Sequence, residues 1–464
     1  MPIDLASTRA QQFTQRVKTI QHSADDPTAK SLGWCTLALG AVEVIAPQRV
    51  ANLAGINLRP SVVRLCGVGK IVGGMALLGS KKPAKWLWAK VAGDLLDLAV
   101  VGSAPSSSAR SARSLRAVAT SSIVGATVID TMLAIRNSRK SSSTTHLRSP
   151  HEQLVHFLSD MYSVEQQALA QMVRAPDIAG VPQLAQDFRI HYTETAQQAN
   201  LVQERLEANG GSPSVIKDTI MRLGGKGFLL FAAAMPETPG RLLTHSYSYE
   251  AMEWAGYQML RRFAEHAGDD ETVAAAESIG AQERTMMERL ERGFDAAEEA
   301  SHADASQETL RQHIAKHLSE VHAFERQSIQ LLAKGERIGG HPTLQSLYRA
   351  CLEETRQHEQ LIERRLKSLE TTTSMIKDSA LTLGGINWGL FFQAQSDTPA
   401  KFAAFMYAVL HLEIGGCELL KRTASRISDL ETADLCATLI AEKLFMAETL
   451  SRHFESAVDA TLHP

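Results

Sequence analysis

The sequence predicts an all-α protein: a four-helix membrane domain at the N-terminus, then two tandem four-helix bundles. Three observations carry this. First, residues 216–225 read IKDTIMRLGG and residues 376–385 read IKDSALTLGG, an offset of 160 residues (376 less 216). The offset holds without a gap: Leu158-Ser159-Asp160 returns as Leu318-Ser319-Glu320, Glu165 as Glu325, Thr238-Pro239 as Thr398-Pro399 and Glu253 as Glu413. Second, apolar residues after residue 150 recur at helical spacing. Third, residues 31–135 are far richer in apolar and small residues than the rest. The repeat is longer than any solenoid unit, so each copy is expected to have its own core.

Composition excludes several classes. Net charge is −3, aromatics are few, and no basic surface suited to nucleic acid stands out. The five cysteines form no CxxC pair, which argues against a disulfide or zinc framework and for a reducing compartment. Residues 1–30 form a polar segment with Arg9, Arg16, Lys18, Asp25 and Asp26 and no apolar core, unlike a cleaved signal peptide.

The first domain is placed at 31–136. Its apolar stretches run roughly 31–46, 61–80, 86–104 and 114–135, broken at Pro47, at Lys81-Lys82-Pro83 and in the Ser-rich run after Pro105. Runs such as VGGMALLG suit close helix contact in lipid. By length, the third and fourth stretches reach across a bilayer and the first two are short. Glu43, Asp94, Asp97 and Asp130 are acidic, and Arg64, Lys70 and Lys90 basic, so acids and bases should pair inside the bundle. Asp94 and Asp97 are expected to meet Arg64, Lys70 or Lys90. The alternative is a soluble four-helix domain with these charges at its surface. Four crossings leave both ends on one side. Basic residues at the N-terminus, at 81–85 and at 136–148 favour the cytoplasm for it, against Arg110, Arg113 and Arg116.

A polar linker, 137–150, leads to copy one at 151–297; residues 298–307 join it to copy two at 308–458. Copy one reads as helices near 151–174, 181–209, 240–267 and 270–296, with breaks at Pro182, Gly210-Gly211-Ser212-Pro213, Pro236 and Pro239. An apolar segment lies between the second and third helices. Each helix turns a glutamate onto its apolar stripe. Glu165 follows Met161; Glu194, with His191, lies between Phe188 and Leu201. Glu253 follows Tyr249 and precedes Gly256 and Leu260, with Glu250 one turn earlier, and Glu283 lies between Ile279 and Met286. Copy two repeats the scheme with Glu325, Glu354, His358, Glu413 and Glu442. Ionised carboxylates converging in one bundle need protons or a cation. Glutamates on four helices with histidine support are the ingredients of a di-iron or di-manganese site. The same residues also suit interhelical salt bridges, with Arg205 and Arg365 available. His302, His313, His317 and His341 read as solvent-exposed.

HFLSDMYSVEQQALAQMVRA, HYTETAQQANLVQERLE and YEAMEWAGYQMLRRFAEHAG closely resemble the first three helices of YciE/YciF-type ferritin-like proteins; AAAESIGAQERTMMERL is a weaker match to the fourth. The resemblance implies two ferritin-like bundles, a di-iron centre, a ferroxidase-like oxidation of iron or handling of oxygen or peroxide, and a stress association. It nominates Glu165, His191, Glu194, Glu250, Glu253 and Glu283, with iron or, alternatively, manganese as cofactor. This chain departs from the pattern: no Glu-x-x-His pair on the second or fourth helix of either copy, Met287 where an acid is common, Leu410 opposite Glu250 and Lys443 opposite Glu283. Copy one is therefore expected to keep the better site. AVEVIAPQRV, RLCGVGKIVGG and WLWAKVAGDLLDLAV resemble a small bacterial four-helix membrane family of unknown function, which implies contact with lipid at the inner membrane. The partners expected are lipid, an unidentified redox partner and a second copy in a homo-oligomer. The rival is a membrane-anchored scaffold with a degenerate site and no cofactor.

Overall fold

The computed structural model describes residues 27–54, 59–80, 84–103, scattered residues between 119 and 134, 149–214, 238–369 and 398–463. The chain divides into two compact units, Met1–Thr145 and His146–Pro464. Every regular element among the described residues is helical. The repeated IKDTIMRLGG and IKDSALTLGG stretches, with the apolar segments after them, lie outside the described residues.

The first unit contains α1 (Pro27–Ile45), α2 (Pro60–Gly79) and α3 (Ala84–Ser103), plus a short helix that Pro47 opens at its first turn. Helical residues of the fourth stretch recur between 119 and 134. The second stretch, expected to be short, is 20 residues long and apolar enough to cross a membrane. It runs its full length because no breaker interrupts it between Pro60 and the segment at 81–83. The equally long α3 carries Lys85, Lys90, Asp94 and Asp97 and is less apolar.

Among the described residues of this unit, large apolar side chains are exposed while several charges are buried, unlike the usual surface of a water-soluble bundle. Leu65, Val68, Val72 and Met75 form an exposed stripe on α2, whereas Glu43, Asp94 and Asp130 are buried. The buried charges are paired, as their cost in an apolar interior demands. Lys70 Nζ lies 2.5 Å from Glu43 Oε1 and 2.7 Å from Asp97 Oδ2. Lys90 Nζ lies 3.1 Å from Asp94 and 2.5 Å from Asp130. Arg64 takes no part in these groups: it is exposed, and its Nε donates to Val44 O at 3.3 Å. Its place on the outer face of α2 explains this.

Helices α1 and α2 meet backbone to backbone. A Cβ on Gly67 would stand 2.7 Å from Gly40 O, whereas one on Gly69 would meet nothing. Gly67→Leu should therefore destabilise the helix pair by about 1–3 kcal/mol through overpacking. Gly69→Leu should not. Thermal denaturation of the purified protein checks this, and equal behaviour of the two variants would remove the close contact.

The second unit holds both copies. Copy one contains α4 (Pro150–Met172), α5 (Pro182–Ala208), α6 (Thr238–Ala267), α7 (Asp270–Arg292) and α8 (Phe294–Ser301). Copy two contains α9 (Gln307–Ile338), α10 (Pro342–Ser368), α11 (Pro399–Arg426), α12 (Leu430–Ser451) and α13 (Phe454–Leu462). Among the described residues each copy thus adds a short helix after the four expected, and copy one has one further turn of helix, Ala175–Ile178. Helix starts follow from local chemistry. Ser149 and Glu152 form a capping box ahead of α4, with Pro150 at its first position. Asp269 and Asp429 cap α7 and α12 by accepting from Thr272 N and Thr432 N. The turn before each cap needs a left-handed residue. Copy one uses Gly268 (φ 71°), and copy two places Ser428 (φ 61°) at the equivalent position.

In each copy the first helix packs on the second and third, and the fourth closes the ring. The expectation of two separate cores does not hold. Helix α6 packs lengthwise on α11, and the two large apolar clusters of the unit draw on both copies. The cause is α11, which is buried on nearly every side and so faces two partners at once. It passes the same length-and-apolarity test as α2, but most of it is buried in this core. At the contact, Ser248 Oγ donates to Ala408 O at 2.7 Å, across a separation of 160 residues, so the two are equivalent positions.

Candidate metal centre

Copy one brings four of its expected ligands together. His191 from α5, Glu250 and Glu253 from α6 and Glu283 from α7 are all buried, and each offers a ligand atom within 4.8 Å of the others. Helical spacing explains the cluster: Glu250 and Glu253 lie one turn apart on the face of α6 that looks into the ring. His191 Nε2 stands 2.9 Å from Glu250 Oε2 and 3.5 Å from Glu283 Oε2. The 2.9 Å approach lies off the hydrogen-bond direction, so Nε2 and both Glu250 oxygens lack a directed partner. Glu165 Oε2, Glu253 Oε1 and Glu283 Oε2 lack one as well. Buried polar atoms are rarely left so.

The surrounding side chains hold this group in place. Gln198 Nε2 donates to Glu283 Oε1 at 2.5 Å. Tyr257 OH donates to Glu165 Oε1. Glu165 is fully buried beside the four but sits on this tyrosine rather than among them. Glu194 is not inside the cluster. It is half-buried, lies 3.1 Å from His191 Nδ1 and is held by Arg289 at 3.2 Å. Its role is to fix the imidazole from behind and turn Nε2 towards the carboxylates. Sequence reasoning missed Tyr257, Gln198 and Arg289. Tyr257 had a signal, since it follows Glu253 by one turn on the same stripe.

Charges in the cluster are displaced as burial dictates. Burial pushes the Glu165 carboxyl up to about 8, although Tyr257 and His191 pull it down. Burial, then neighbouring carboxylates, raises Glu253 well above the ordinary range; burial also raises Glu283, with His191 opposing. Burial would lower His191, but Glu250 and Glu283 carry it well above its usual value. His191 instead lowers Glu194 through their hydrogen bond. The cluster therefore holds protons that a cation would displace. Three carboxylates and one imidazole with unpartnered oxygens fit iron or manganese.

Copy two divides the expected set. Glu325 and Glu413 are fully buried, and Lys443 Nζ lies between them at 2.7 and 2.8 Å. Lys443, itself fully buried, stands where copy one has Glu283, and its ammonium fills the place of a cation. The expectation that these two acids serve a metal fails for that reason. Leu410, buried opposite Glu250, removes a further ligand. The other three, Glu354, His358 and Glu442, form a separate group within 4.8 Å whose glutamates are partly exposed. There Glu442 Oε2 lies 2.8 Å from His358 Nε2. Burial and Lys443 together push the His358 imidazole down to about 3, which keeps it neutral.

The alternative partners, Arg205 and Arg365, are not used by the inward glutamates. Both sit at the far end of the bundle on the helix caps: Arg205 on Asp269 at 2.8 Å and Arg365 on Asp429 at 2.6 Å. Of the four histidines expected at the surface, only His341 is exposed. His302 is buried, and His313 and His317 are half-buried.

No solved structure matches the chain. A family model described as "Domain of unknown function (DUF892)" matches residues 149–303 and again 309–463. Those limits enclose the two ferritin-like copies with the short helix that ends each, so the chain belongs to the DUF892 family and carries that domain twice in tandem.

Proposed function

We propose that this is a membrane-tethered ferritin-like protein of the YciE/YciF type, with one working metal centre, in copy one. The observation that carries this is the buried His191, Glu250, Glu253 and Glu283 group with its unpartnered oxygens. Glu165 would extend that set to a second ion. Iron, or manganese in its place, would supply one-electron redox chemistry towards oxygen or peroxide, in keeping with a ferroxidase-like role under stress. Gln198, Tyr257 and the Glu194–Arg289 pair orient the ligands, and the closed ring of helices excludes bulk water. The exposed apolar stripe of α2 over paired internal charges supports anchoring in a membrane. The basic flanks favour an inner membrane with the ferritin-like unit on the cytoplasmic side.

Copy two supports a second role. Its own ammonium compensates its carboxylates, which suits a scaffold half that supports copy one. The test is metal analysis of the full chain after anaerobic loading with ferrous iron or manganese. Metal should be bound, and Glu250→Ala with Glu283→Ala should remove it. Unchanged metal in that variant would overturn the assignment.

A further inference from the structure

His302 caps the C-terminus of α8, in the link between the copies, and is 3 % exposed. Its ring faces two others. Its centroid lies 5.2 Å from that of His313 and 6.5 Å from that of His317, which are themselves 6.3 Å apart. His313 and His317 are one turn apart on the same face of α9. Behind His302, Glu298 Oε1 stands 3.2 Å from Nδ1. Glu298 is anchored in turn by copy two, through Arg426 at 3.1 Å and the Thr423 hydroxyl at 3.3 Å. On the other side of the ring, His302 Nε2 is buried without a hydrogen-bond partner.

Glu298 is a close anion beside the ring, and neither nitrogen of the buried His302 makes a directed hydrogen bond, so Nε2 is available to ligate a metal. Three imidazoles on one tetrahedral ion, with metal–nitrogen bonds of about 2.0–2.1 Å, place their ring centres roughly 5–5.5 Å apart. The ring centres of His302 and His313 already meet that spacing, and ligation requires the rings to rotate so that one nitrogen of each turns inward, with His317 drawn in by about 1 Å. We propose that His302, His313 and His317 form a second metal site, for a borderline divalent ion such as zinc. An all-nitrogen donor set selects zinc, cobalt, nickel or copper over the oxygen-loving metals that suit the carboxylate group. No ligand is shared between the two sites. The ion would tie the link and the end of copy one to the first helix of copy two, with Glu298 as its outer partner.

The test uses the full chain, stripped with a chelator and titrated with zinc against a chromophoric indicator. Wild type should bind zinc at this site and gain thermal stability. His313→Gln with His317→Gln should lose that zinc, while Glu250→Gln with Glu283→Gln should keep it. Glu298→Gln should weaken it by roughly 10–100-fold, as loss of an outer partner does. Zinc retained by the histidine variant, or lost only from the carboxylate variant, would overturn the assignment, as would a folded wild type that binds none. Should the histidine variant misfold, X-ray absorption at the zinc edge of wild type decides: imidazole nitrogens support the site, and a shell of oxygens refutes it.

Discussion

Lys443→Met should destabilise the ferritin-like unit by about 3–5 kcal/mol, the usual cost of removing one partner from a buried ionic group. The ammonium touches Glu325 and Glu413, and all three side chains are sealed from water. Without it, two carboxylates face each other in an apolar ring. Adding Glu325→Leu and Glu413→Leu should restore stability to about the wild-type level, because a fully apolar replacement leaves no charge unpaired. Chemical denaturation of the three proteins checks this. A neutral Lys443→Met would mean that solvent reaches the site.

The metal-free protein should become less stable as pH rises from about 6.5 to 8; below that range the buried, neutral His245, His358 and His411, pushed down by burial, act in the opposite direction. The Glu165 carboxyl has an ordinary value of 4.5 and a folded value of about 8. The folded state therefore keeps a proton that the unfolded chain releases, and stability falls as pH climbs between those values. The ceiling for one such group is roughly 5 kcal/mol. Glu253 and Glu283 shift the same way. His191 adds the same sign, since its raised value stabilises the fold below about 6.5 and that contribution is lost above. A bound cation should reverse the trend, since it displaces those protons and binds more tightly as pH rises. Melting temperature against pH, with chelator and with manganese, is the measurement. Glu165→Gln with Glu283→Gln should flatten the chelator curve, which separates copy one from Glu325, also pushed up to about 8 by burial. A chelator curve that is flat in the wild type would sink this account of the cluster.

The inward glutamates of copy one were legible because a helix stripe reports which side a residue faces. Stripes do not report depth or height. Glu194 shares a stripe with His191 yet stays half-buried, since Arg289 draws it outward. Arg205 and Arg365 looked available to the inward acids but lie at the wrong end of the helices. The alignment of Lys443 with Glu283 shows a lost acid; that the ammonium replaces a cation is revealed only by its placement between Glu325 and Glu413. The shared core did leave a trace. Residues 402–420, FAAFMYAVLHLEIGGCELL, are apolar on every face, and such a helix has neighbours on all sides.

The hydrogen bond between Ser248 and Ala408 has a consequence of its own. Equivalent residues can touch only near a two-fold axis, so α6 and α11 form an isologous interface, as in a symmetric dimer. Here a single chain supplies both protomers. In a true homodimer every substitution strikes both halves together, and a buried lysine that ends one metal site ends the other. Fusion breaks that obligation. One half can trade ligand chemistry for built-in rigidity, as Lys443 does, while the other keeps its donors. Symmetry survives in the Arg205 and Arg365 cap networks, and is given up at the ligands and at the end of the first helix, which stops at Met172 in copy one but runs on to Ile338 in copy two.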